Sequence, residues 1–113
     1  MARTVNEEAY ALRRNAILDA AQRLIYTKGY EQVTIQDLLD ALAMSKGAFY
    51  HYFDSKPALL EALMERIMQE AEDVMRPIVR DPHLSALEKL QLLFPTISRW
   101  KTERKDYLLA LIP

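Results

Sequence analysis

Residues 34–56 read Thr34-Ile35-Gln36-Asp37-Leu38-Leu39-Asp40-Ala41-Leu42-Ala43-Met44-Ser45-Lys46-Gly47-Ala48-Phe49-Tyr50-His51-Tyr52-Phe53-Asp54-Ser55-Lys56. Ile35, Leu38, Leu39 and Leu42 fall at i, i+3, i+4 and i+7, one apolar face of a short helix. Thr34 is its natural N-cap, with Asp37 three residues on as a variant capping box. Ala43-Met44-Ser45 is a tight connection, and Ser45 caps a second short helix over about Lys46–Tyr52. Two short helices joined by a three-residue turn predict a helix-turn-helix between Ile35 and Phe53. Isolated helices shorter than about 12–15 residues are marginal in water. This pair must therefore pack on longer neighbours.

The flanking sequence supplies them. Upstream, a helix is expected from an Asn6 cap, with Glu7 and Glu8 in its first turn. Ile17, Ala20, Ala21, Leu24 and Ile25 give it a buried face, and Gly29 after Lys28 ends it. Downstream, Asp54-Ser55 interrupts the chain and Lys56-Pro57 opens a long helix. That helix is expected to run to about Met75, where Pro77 stops it. Leu60, Leu63, Met64, Ile67 and Ala71 form its expected inner stripe, with Met64, Met68 and Met75 as core filler. Asp81-Pro82-His83 reads as a turn. Ser85 and Glu88 form a capping box for a further helix carrying Leu87, Leu90, Phe94 and Ile97, kinked at Pro95. Trp100 and Phe94 read as core or interface packing, with a ligand-cavity lining as the alternative. The segment Leu109–Pro113 is apolar and looks cut off. With two glycines in 113 residues, the expected fold is all-α. It comprises a three-helix helix-turn-helix domain over residues 1–55, then a connecting helix and the start of a helical C-terminal domain over 56–113.

Composition narrows the function. Half the residues are apolar, enough for a core. No cysteine is present, which removes disulfides and thiolate metal sites. His51 and His83 are too far apart to form a local metal pair, and no cofactor is expected. Met1–Tyr10 lacks the apolar run of a signal peptide, and no stretch is long enough to cross a membrane, so a cytoplasmic location is expected. No carboxylate pair, nucleophile with a base, or phosphate-cradling loop stands out, so an enzyme is not expected. Lys and Arg number 15 against 16 Asp and Glu, a net charge of −1. The basic footprint of a typical nucleic-acid binder is missing, so any such binding must rest on a local surface.

The second short helix offers that surface. At about 100° per residue from Lys46, Phe49 falls near 300° and Phe53 near 340°, marking the inward face. Opposite lie Gly47 at about 100°, His51 at about 140° and Ala48 at about 200°, with Tyr50 near 40° and Tyr52 near 240° on the flanks. A small, flat outer face lets a backbone approach base edges in a major groove. Lys46 can donate to guanine O6 and N7, Ala48 can touch a thymine methyl, and tyrosine hydroxyls can reach phosphates. Glycine inside a helix costs about 1 kcal/mol relative to alanine, so folding alone does not favour Gly47. Thr34, Ser45 and Lys56 each stand at a helix start, where free N–H groups suit phosphates.

Each residue also has a plainer explanation. Lys46 and Lys56 can be solvated charges, Tyr50 and Tyr52 half-buried core aromatics, and His51 merely exposed. Gly47 can relieve crowding against a neighbouring helix, and Thr34 and Ser45 are fully explained as caps. The combination at one spacing favours DNA. A helical interaction or dimerisation module without DNA binding is the alternative. A small-molecule sensor would need a cavity that the residues after Ser85 are too few to build alone.

The run Thr34–Lys56 resembles the DNA-binding signature of the TetR family. Ile17-Leu18-Asp19-Ala20-Ala21 and Gly29-Tyr30 fit that family's first helix and its end. The resemblance covers about residues 10–65. It implies a homodimeric repressor of a palindromic operator, with a helical C-terminal domain that binds a small-molecule effector. It also implies that Thr34, Ser45, Tyr50, Tyr52 and Lys56 contact phosphates, that Lys46, Gly47 and Ala48 face bases, and that Gln36 assists. Three departures are visible. Ala43-Met44 stands where the family usually has Gly-Val, Tyr52 replaces the commoner histidine, and the ligand domain stops after about a helix and a half. From that truncation, effector binding by this short chain is not expected and dimerisation is left open.

Overall fold

Thr4, two residues upstream of the expected cap, opens the first helix. Its hydroxyl accepts the Glu7 N–H (3.1 Å), and the Glu7 carboxylate accepts the Thr4 N–H (3.2 Å). This reciprocal pair displaces Asn6 from the cap, leaving it as the second residue of α1, Val5–Lys28. The computed structural model describes residues 4–112. Met1–Arg3 and Pro113, the outer ends of the two terminal segments considered above, lie outside the described residues.

Gly29 ends α1 at φ +81°, ψ 153°, a backbone region essentially restricted to glycine. Its N–H donates to the Ile25 carbonyl at 2.7 Å. A single 3-10 turn, Tyr30–Gln32, leads to α2, Ile35–Leu42. The expected capping box is present, with the Thr34 hydroxyl accepting the Asp37 N–H at 3.0 Å. Ala43 then takes the left-handed conformation, φ 51°, ψ 45°. The Ala43 and Met44 N–H groups both donate to the Leu39 carbonyl, which closes α2 and turns the chain into α3, Lys46–Tyr50. α3 is shorter than expected, because residues 51 and 52 leave the helix as a turn.

α4 spans Lys56–Val79, capped by the Ser55 hydroxyl with Pro57 in its first turn. It does not stop before Pro77. Only two helical residues follow that proline, and the Arg80 N–H still closes on the Arg76 carbonyl at 2.9 Å. The missing proline N–H therefore costs a single bond near an end. The buried stripe also differs from the expectation. Leu59, Ala62 and Leu63 are buried, while Leu60, Ile67 and Ala71 are half-buried edges. Met64 and Met68 are 51% and 69% exposed, so they are not core filler. They line an open apolar groove with Leu60, Ile67, Leu108, Leu111 and Ile112. α4 seats its first turns on the core and then diverges from it.

One core gathers Ile17, Leu18, Ala21 and Ile25 of α1, Val33, Leu38 and Leu39, Phe49 and Phe53, and Leu59, Ala62 and Leu63 of α4. It continues past residue 56 into α4. Arg66 ties α4 to α1 by donating to Asp19 (2.8 Å) and Gln22 (2.6 Å). The Ser85–Glu88 capping box opens α5, Ala86–Glu103, which packs on α4 and continues unbroken past Pro95. Its expected inner face points outward: Leu87, Leu90 and Phe94 are exposed, Ile97 is half-buried, and Trp100 is the buried residue. A sixth helix, α6 at Lys105–Ala110, was not expected. It has no side-chain cap to announce it, and it packs on α1 with Tyr107 in the core.

The described residues are all-helical, with no strand. Their radius of gyration is 17.4 Å, with extents of 52 × 37 × 17 Å. A compact domain of about 100 residues has a radius near 13 Å. The difference reflects α4 and α5, which project from the core. No described helix is long and apolar enough to cross a membrane.

Candidate nucleic-acid interface

α3 is held from below. Phe49 is fully buried and Phe53 nearly so, as the helical wheel requires. Ser45 caps α3 by accepting the Ala48 N–H at 3.1 Å. The opposite side is open. Lys46, Gly47, Tyr50 and His51 are exposed, and Ala48 is half-buried. Lys46 makes no ion pair among the described residues.

Gly47 settles one of the alternatives raised by the sequence. A Cβ built there meets nothing within 4 Å, and its φ is not positive. Neither crowding against a neighbouring helix nor backbone conformation accounts for glycine. The space beyond it is solvent, on the exposed side of a short, well-anchored helix.

The other expected site residues differ in how free they are. The Thr34 and Ser45 hydroxyls accept the Asp37 and Ala48 N–H groups as caps. A hydroxyl that accepts still holds a proton to donate, so capping and phosphate contact are compatible. The Gln36 amide donates to Asp40 Oδ1 at 2.8 Å, along α2. Tyr50 is 38% exposed and meets Phe49 edge-on. Tyr52 is half-buried, packs on the core and stacks on Tyr10 at 4.7 Å. Lys56 is half-buried, with Nζ 4.4 Å from the Tyr30 ring centroid and donating to the Glu31 carbonyl at 3.4 Å. It ties the start of α4 to the 3-10 turn.

Two supports were missed in the sequence. Lys28 at the end of α1 pairs with Asp37 at 2.9 Å. Tyr10 sits on α1 beside His51 and Tyr52. Its signal was available, because Tyr10 lies seven residues before Ile17 and so on the same face of α1. Lys28 and Asp37 are nine residues apart on different helices, and no local spacing pairs them.

Residues 17–63 match the model of the bacterial regulatory proteins of the tetR family. Over these residues, which carry the helix-turn-helix, the chain is similar to the tetR family. An uncharacterised HTH-type transcriptional regulator in the lacX 3′ region of Lactococcus lactis subsp. lactis is 47% identical over 60 residues, covering 51% of this chain and 31% of the relative. The HTH-type transcriptional repressor Rv1474c of Mycobacterium tuberculosis is 44% identical over 59 residues, covering 52% and 32%. The HTH-type transcriptional regulator EthR of Mycolicibacterium smegmatis is 30% identical over 86 residues, covering 73% and 40%. The chain thus spans between 31% and 40% of the length of these relatives. No solved structure matches it. The tetR-family match takes in the second half of α1, α2, α3 and the first turns of α4, the stretch that carries the open face and most of the core.

Proposed function

We propose that this chain is the DNA-reading part of a tetR-family transcriptional repressor, not an enzyme, and that α3 enters the major groove of a palindromic operator. The observation that carries this reading is the open surface at Gly47, above a fully buried Phe49 and next to Lys46, which is exposed and makes no ion pair among the described residues. Lys46, Gly47 and Ala48 face the bases, with His51 beside them. Thr34, Ser45, Tyr50, Tyr52 and Lys56 contact phosphates, and Gln36 assists by leaving Asp40. Contacts of the second kind set register and affinity, while the first kind set sequence preference. On this reading residues 1–55 form the reading head, and 56–113 the connecting helix and the beginning of the ligand-binding domain. On the same reading the protein works in the cytoplasm, pairing of two such chains would place two reading heads on the two halves of the palindrome, and this short chain by itself binds no small-molecule effector.

The test is fluorescence anisotropy with a labelled duplex that the wild-type chain enriches from a randomised pool, against a scrambled duplex, at two salt concentrations. Lys46→Ala is expected to change sequence preference, and Tyr50→Phe to weaken binding to both duplexes. The salt slope should be about 0.9 per phosphate contacted. If neither substitution alters binding, the assignment of this face is wrong. The exposed Leu87, Leu90 and Phe94 on α5 favour a second reading, an interaction module without DNA binding. A salt-independent oligomer in sedimentation with no affinity for any duplex would select it.

A further inference from the structure

We propose that Tyr10 is a positioning residue for DNA reading, a role that rests on the function proposed above. α3 has five residues, too few to hold its own geometry. Phe49 and Phe53 anchor its inner side, but residues 51 and 52 form a turn past its last helical residue, tied back through the His51 N–H to the Gly47 carbonyl (3.2 Å) and the Tyr52 N–H to the Phe49 carbonyl (2.9 Å). Tyr10 closes over this turn from α1. Its ring stacks on Tyr52, with centroids 4.7 Å apart and planes at 29°. It also meets His51 edge-on at 5.7 Å and 82°. One turn further along α1, the Arg14 guanidinium lies 5.1 Å from the centroid of the Phe53 ring. Two residues at i and i+4 on α1 thus grip three consecutive residues, 51–53, immediately after α3. Tyr10 and Arg14 both precede the region matched to the family.

α1 is a 24-residue support, and its other end is buried in the core through Ile17, Leu18, Ala21 and Ile25. The clamp transmits that rigidity to the exposed helix. Tyr10 is 40% exposed, so its removal costs little core burial. What it removes is the fixed angle at which Lys46, Gly47 and Ala48 meet the base edges. Base contacts demand placement within about half an ångström, whereas phosphate contacts tolerate more. Loss of the clamp should therefore lower discrimination between sequences more than it lowers affinity for duplex DNA in general.

Tyr10→Ala and Tyr10→Phe in the full chain test this, with the enriched and scrambled duplexes and with the His51 imidazole proton resonances. Tyr10→Ala is expected to weaken binding to the enriched duplex about tenfold, leave the scrambled duplex unchanged and move the His51 resonances out of the ring current. Tyr10→Phe keeps the stack and should retain wild-type values in all three. An unchanged affinity ratio in Tyr10→Ala overturns the role. So does a Tyr10→Phe variant as impaired as Tyr10→Ala, which would make the hydroxyl a direct contact. Unchanged His51 resonances in Tyr10→Ala overturn the clamp alone. A wild-type chain that enriches no duplex overturns the DNA reading and this role with it, even where the resonances show the clamp intact.

Discussion

Lys28 Nζ donates to Asp37 Oδ2 at 2.9 Å, and the same oxygen accepts the Thr34 backbone N–H at 3.0 Å. One carboxylate therefore closes the N-terminal cap of α2 and holds the C-terminal end of α1 against it. The Thr34 backbone N–H, then Lys28, hold the Asp37 carboxyl down at about 2. A depressed carboxylate pKa adds stability above its unfolded value, near 4, that is lost as pH falls toward the folded value. Unfolding midpoints should drop between about pH 4 and pH 2. Asp37→Asn should lower the midpoint at pH 7 and flatten that acid step. An acid step of the same size in Asp37→Asn would place its origin elsewhere.

Gly47 sets stability against function. Gly47→Ala adds a methyl into open space on a helix, and should stabilise the fold by up to about 1 kcal/mol. The same methyl stands between the helix and the base edges, so affinity for the enriched duplex should fall. Denaturant unfolding and anisotropy on one preparation give both numbers. A variant that gains stability and keeps full affinity would show that the groove does not approach at this point.

Ala43 carries a backbone cost. An L-residue in the left-handed region is disfavoured by about 1–2 kcal/mol, offset in part by the greater chain entropy of glycine when unfolded. Ala43→Gly should therefore stabilise by about 0.5–1 kcal/mol, with DNA affinity unchanged. The departure of Ala43 from the Gly-Val turn falls on the one described non-glycine residue with positive φ. A denaturation midpoint at or below wild type would sink this account.

Tyr107 is buried, and its hydroxyl has no hydrogen-bond partner among the described residues. An unsatisfied buried donor costs about 1–3 kcal/mol. Tyr107→Phe keeps the ring and should stabilise the fold by about 1 kcal/mol. Burial raises the phenol to about 12, above an unfolded value near 10, so the folded chain holds the proton longer. Stability should fall between about pH 10 and 12 in wild type, and this step should vanish in Tyr107→Phe. A destabilised phenylalanine variant would reveal a partner for the hydroxyl.

Local physics wrote much of this protein into its sequence. The 3.6-residue apolar spacing of α2, the Thr34 and Ser85 capping boxes, the Gly29 stop and the inward pair Phe49 and Phe53 depend only on neighbours within a turn or two, and all appear as read. At the start of α1 the cap expected at Asn6 lies instead at Thr4, where a reciprocal bond with Glu7, three residues on, closes the first turn. The tertiary structure alone decided the rest. Which stripe of α4 is buried depends on where α1 crosses it, and so Leu59 went in while Met64 stayed out. The outward face of α5, the docking of α6 on α1, the Lys28–Asp37 pair and the Tyr10 clamp all join residues on separate helices. Periodicity fixes which residues share a face, but only the packing of whole helices fixes what that face meets.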